Sequence, residues 1–152
     1  MQYSDLTQEQ AEIYDQLKKW IRHSNIREIS GMPAADRNFY LGVQDNAGWT
    51  LLHDAARSGS PETITALLED LNPDQKVQLL RIKDRDKQTP LHVAALYGSP
   101  ESITALLAGL TPDQKVELLR IQNDDGFTPL HIAAGYGSPE TITAMLAGLT
   151  PE

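Results

Sequence analysis

One interval runs through this chain and limits what it can become. Thr128-Pro129-Leu130-His131-Ile132-Ala133-Ala134 appears earlier as Thr89-Pro90-Leu91-His92-Val93-Ala94-Ala95, and in weaker form as Thr50-Leu51-Leu52-His53-Asp54-Ala55-Ala56. The three threonines are 39 residues apart both times. A fixed period of roughly 20–50 residues marks a stacked array, in which each unit has an apolar face that only its neighbours can cover. The 152 residues therefore need no single central core.

Each unit reads as a series of short helices. Thr-Pro supplies an N-cap hydroxyl followed by proline at the first helical position, where its missing N–H costs nothing. The alanine pair makes a narrow inner helix. Gly59, Gly98 and Gly137 are expected to end these helices in left-handed C-caps. Ser-Pro-Glu at 60–62, 99–101 and 138–140 starts a second helix by the same device. Its apolar face is Ile64, Leu67 and Leu68, then Ile103, Leu106 and Leu107, then Ile142, Met145 and Leu146. A third helix follows at Asn72-Pro73 and Thr111-Pro112, pinned by Val77 with Leu80 and by Val116 with Leu119. Segments 59–84 and 98–123 agree at 19 of 26 positions, so the third helix was duplicated with the rest. The units are joined by the turns Asp45-Asn46-Ala47-Gly48, Asp84-Arg85-Asp86-Lys87 and Asn123-Asp124-Asp125-Gly126, rich in Asx and Gly. Lys87 stands where the other two turns have glycine, so the middle turn is either strained or of another type.

Residues 1–43 read as an N-terminal helical cap or degenerate repeat, and 44–152 as the array of three repeats, the last one truncated. Residues 1–6 are expected to fray. Thr7 with Gln10 forms a capping box opening a helix over 7–23, with Ile13, Tyr14, Leu17, Trp20 and Ile21 as its apolar stripe. Ser24 or Asn25 caps a second helix ending at Gly31. Leu41 to Asp45 lines up with Leu80 to Asp84, 39 residues on. The stripe either covers the first repeat or offers Trp20 to a partner. At the other end, Gly148-Leu149-Thr150-Pro151-Glu152 stops partway into a motif, leaving Ile142, Met145 and Leu146 uncovered, as in a fragment of a longer protein.

Charge and residue chemistry exclude several functions. The net charge is −8, and from Asn46 onward eight Lys/Arg face fourteen Asp/Glu. No basic stripe is present to displace counterions from DNA or RNA. No apolar run approaches the ~18 residues of a membrane span. With no cysteine there is neither a disulfide nor a thiolate metal site, which fits a cytoplasmic location. His53, His92 and His131 recur with the period, but stacked helices lie about 8–10 Å apart. Three such imidazoles cannot reach one zinc ion at about 2.0–2.1 Å. Asp84/Asp86 and Asp124/Asp125 lack the spacing of a calcium loop and sit in solvated turns. No metal, cofactor or catalytic constellation is expected.

The Thr-Pro-Leu-His-x-Ala-Ala core resembles the ankyrin repeat, and the resemblance covers roughly Gln44 to the end. It implies an all-α ankyrin-repeat solenoid with projecting turns. An ordinary ankyrin repeat has about 33 residues, and the extra short helix per repeat accounts for the six more found here. His53, His92 and His131 are then structural, hydrogen-bonding the loops of the stack. The resemblance further implies a non-catalytic module that binds another protein on a concave strip of turns and first helices. Its turn positions are Asn46, Ala47, Trp49, Arg85, Asp86, Gln88, Asp124, Asp125 and Phe127. Its first-helix positions are Arg57, Ser58, Leu96, Tyr97, Gly135 and Tyr136. Trp, Tyr and Arg are the types enriched at binding hot spots, but Trp49 and Phe127 could equally pack inward and support the turns. Repeats this regular, with an extra helix and behind a helical cap, also look like those of ankyrin proteins that intracellular bacteria deliver into host cells, which implies a host protein as partner in the host cytosol; the chain itself is expected to be a monomer. The alternatives are the targeting part of a multidomain enzyme whose chemistry lies past residue 152, and a structural spacer without a partner.

Overall fold

The computed structural model describes residues 1–58, 60–97 and 99–149. Among the described residues eleven α-helices form successive units: α1 Gln8–Arg22, α2 Ile26–Gly31 and α3 Ala34–Leu41; α4 Leu51–Ser58, α5 Pro61–Leu68 and α6 Pro73–Leu80; α7 Pro90–Tyr97, α8 Pro100–Leu107 and α9 Pro112–Leu119; α10 Pro129–Tyr136 and α11 Pro139–Leu146. From α3 onward every helix is eight residues long, too short to persist alone in water. Packing makes them stable. α1, α4, α7 and α10 stack in one layer, α2, α5, α8 and α11 in a second, and α6 on α9 in a third.

The starts of these helices follow local chemistry. Ser60, Ser99 and Ser138 accept the backbone N–H of Thr63, Ser102 and Thr141 at 3.3, 3.2 and 3.3 Å, each with proline next. Asn72 with Gln75 and Thr111 with Gln114 close reciprocal capping boxes on the third helices. Thr7 and Gln10 do the same for α1. The core follows the apolar pattern: Leu51, Leu52, Ala55 and Ala56 of α4, and Ile64 and Leu67 of α5, are completely buried.

Several expectations need correction. The first residues do not fray: Tyr3 N–H donates to Gln44 O at 2.8 Å and Gln44 N–H to Met1 O at 2.9 Å. A short 3-10 turn at Tyr3–Asp5 follows, and the Tyr3 hydroxyl reaches Asp15 at 3.1 Å. Pairing with the strand-like run before the first turn supplies the partners that free termini lack. Ser24 sits in a left-handed conformation, φ 54°, and Asn25 precedes α2 without a side-chain cap bond. α3 is an element the apolar pattern did not reveal. It lies 39 residues before α6, so α1–α3 repeat the three-helix plan of the units that follow. Arg37 of α3 is almost wholly buried, and its guanidinium donates to Ile29 O at 3.2 Å and Met32 O at 3.1 Å and to the Asp70 carboxylate. It thereby caps the end of α2 and ties it to the end of α5.

Gly137 ends α10 with φ −88°, an ordinary extended conformation and not the left-handed one expected. Glycine is needed there for space, since a Cβ would lie 2.9 Å from Ala133 O. Gly59 and Gly98 lie outside the described residues. Val77 and Leu80 bury α6 as expected, but on α9 the buried pair is Leu118 and Leu119, with Val116 half-exposed. Met145, expected to be uncovered, is fully buried against α8, whereas Leu146 is open. Thr150, Pro151 and Glu152 lie outside the described residues, and with them the start of a further third helix.

Candidate protein-binding surface

The three turns share one construction. Asp45 Oδ1 accepts the N–H of Ala47 and Trp49, Asp84 Oδ1 that of Asp86 and Gln88, and Asn123 Oδ1 that of Asp125 and Phe127, all between 2.8 and 3.0 Å. Each turn passes through a left-handed residue: Gly48 at φ 80°, Lys87 at 61° and Gly126 at 81°. Lys87 thus keeps the turn type at the expense of backbone strain, because a Cβ is disfavoured in that region. Successive turns are linked, Arg85 N–H to Ala47 O at 3.1 Å and Asp124 N–H to Asp86 O at 2.9 Å.

The periodic histidines set the turns on the helices. His53 Nδ1 accepts the Thr50 backbone N–H at 3.1 Å, so its Nε2 carries the proton and donates to Gln88 O at 2.9 Å. His92 repeats this with Thr89 N–H at 3.1 Å and Phe127 O at 2.9 Å. His131 accepts Thr128 N–H at 3.1 Å, while its N–H and the Thr128 hydroxyl complete a capping box. Threonine, proline, leucine and histidine are therefore N-cap, first, second and third helical positions, and histidine takes the part usually played by Glu or Gln. Burial holds His53 and His92 below the ordinary imidazole value, partly offset by their carbonyl partners. Both nitrogens of each are engaged in holding the stack, which leaves no lone pair for a metal or a substrate proton.

Part of the expected concave strip gathers into two clusters. In the first, Arg57 lies with its guanidinium carbon 6.0 Å from the Trp49 ring centre and 5.6 Å from that of Tyr97. Trp49 itself is half-buried, stacks on His53 at 5.7 Å and donates its indole N–H to Asp84 Oδ2 at 3.0 Å. These contacts tie the ring to the second turn while part of it stays accessible. In the second cluster, Gln88, Leu96, Asp125, Phe127 and Tyr136 line one groove of about 350 Å³, with Asn123 and Ile132 completing it. Phe127 is 47% and Tyr136 74% exposed. Arg85 and Asp124 join neither cluster. They stand exposed at the turn tips, where Asp124 faces Lys87 Nζ at 3.8 Å. Asn123 carries the sequence signature of a turn former, so its place in the groove lining is not legible before folding.

A linear stack of short helices with a row of hydrogen-bonded turns along one side is the architecture of a recognition solenoid. The family model for ankyrin repeats (3 copies) matches residues 34–116 and 76–151, and the chain belongs to that family. Solved structures agree: 73 chains match. Among them, the crystallised ankyrin repeat domain of Bcl-3, titled a unique member of the IkappaB protein family, aligns with a TM-score of 0.65 at 25% identity. The alignment covers 86% of this chain and 54% of that one, so this chain spans about half the length of its match. No curated protein sequence matches the chain. Ankyrin repeats are protein–protein interaction modules and generally non-catalytic. Among the described residues no helix is long and apolar enough to cross a membrane, and no group of His, Asp or Glu could hold a metal ion.

Proposed function

We propose that this chain is a non-catalytic recruitment module that grips a partner protein on its concave strip, with the groove between the second and third turns as the centre of the contact. The observation that carries this reading is the convergence of Gln88, Leu96, Asp125, Phe127 and Tyr136, from two turns and two helices, on one groove. Phe127 and Tyr136 are large, exposed and cheap in rotamer entropy, the properties of binding anchors. The Trp49–Arg57–Tyr97 ladder extends the surface with a cation held over two rings, worth about 0.5–1 kcal/mol per ring at an exposed site. In an effector delivered into a host cell, as the regular repeats suggest, the recruited protein is the host's.

The test is a pull-down from eukaryotic cell extract with mass-spectrometric readout. It compares the chain with a Tyr97→Ala/Phe127→Ala/Tyr136→Ala variant whose helical content is unchanged. A protein retained by the first and lost by the second establishes the strip and names the partner. Equal retention by both removes the concave strip from consideration.

A further inference from the structure

A second apolar groove lies beside the face of α1 that packs on the stack. α1 carries two stripes offset by one residue. Tyr14, Leu17 and Ile21 are buried against the next unit, at 1%, 0% and 0% exposure. Ile13, Gln16 and Trp20, at the same spacing, lie roughly 100° further round the helix and form one wall of a groove of about 350 Å³. Gly31, Met32 and Pro33, in the link from α2 to α3, form the other wall. Ile13 is 37% exposed, and Trp20 and Met32 rest only partly on the core. A Cβ at Gly31 would meet nothing within 4 Å, so bare backbone lines that side. The two charged residues that line the groove, Glu28 and Asp36, are both acidic.

From this geometry we infer a docking site for a short basic segment of a partner protein, one apolar side chain seated between Ile13, Trp20 and Met32 and a neighbouring Lys or Arg set against Glu28 and Asp36. The volume is at the lower end of the range for ligand sites, which suits a single anchor residue. Charge selects the occupant. A second copy of this chain, at −8, brings like charge to an acidic rim, and an anionic membrane surface is repelled in the same way. The site is separate from the concave strip, so it stands or falls independently of the function proposed above.

Random dodecapeptides displayed on phage, selected on the 152-residue chain and counter-selected on Ile13→Lys, provide the probe. The expected consensus is a large apolar residue beside Lys or Arg. In an isotope-labelled chain the consensus peptide shifts the indole N–H signal of Trp20 and leaves that of Trp49 in place. Glu28→Lys/Asp36→Lys weakens binding roughly tenfold, as does raised salt. Where that variant fails to fold, Glu28→Gln/Asp36→Asn carries the same comparison with a smaller loss. The inference is overturned by the absence of a consensus, by a consensus without a cation, by unchanged affinity in the charge variants, or by self-association that perturbs Trp20. A shift of Trp49 alone also overturns it, while leaving the concave strip in place.

Discussion

Trp49 and Phe127 occupy the same position two repeats apart, and each stacks on its periodic histidine at an interplanar angle of 29°. Trp49 has the second turn over it: its indole bonds Asp84 and its histidine reaches Gln88 O. Phe127 has no such cover among the described residues, and nearly half of it meets solvent. Equivalent residues in an array thus differ in role according to whether a following unit lies over them. One ring is tied beneath the next turn, and the other is open to solvent.

His53 breaks this comparison most severely. His53→Ala leaves Thr50 N–H buried without a partner, takes one of its two donors from Gln88 O and empties a fully buried ring site, a loss of about 3 kcal/mol. His131→Ala removes one cap, about 1 kcal/mol. Urea unfolding of the two variants measures the gap, and equal losses would refute the difference between covered and open units. The aromatic pair follows. Trp49→Ala is expected to lower stability by about 2 kcal/mol, less than the 3–5 of a fully buried ring. Phe127→Ala stays within about 0.5 kcal/mol while weakening partner capture.

Acidification sharpens the comparison through the two covered histidines. Their folded-state pKa values lie below 6.5, so the unfolded chain takes up protons first. Their stabilising contribution is complete above about pH 6.5 and declines as pH falls from there toward the folded values, by at most about 1.4 kcal/mol per pH unit for each. Asp54, whose carboxyl is raised by burial, works in the opposite sense at lower pH. Urea midpoints between about pH 7.5 and 5.5 read the decline, and His53→Gln should flatten it. The smallest effect is a gain: Lys87→Gly relieves the left-handed strain and gives up an exposed ion pair, for a net increase of about 0.5 kcal/mol.

Much of this was legible in the residues themselves. The 39-residue period, the Ser-Pro and Asn-Pro starts, the third helix and the structural role of histidine all rest on contacts three or four residues apart, or on repetition. α3 has no such mark, because Pro33 stands at its start where its copies have Asn72 and Thr111. Nothing local to Arg37 shows that its charge is met by Asp70 from another unit.

By itself, then, the sequence determined the repeat, the helix starts, the turn chemistry and the family, since all are short-range consequences of residue type. Only the tertiary structure decided which aromatic is half-buried, that Gly137 is there for clearance and not for its backbone angle, and that five residues from two turns and two helices line one groove. Those outcomes depend on which unit lies against which, and stacking brings together surfaces that are 35 to 39 residues apart in the chain.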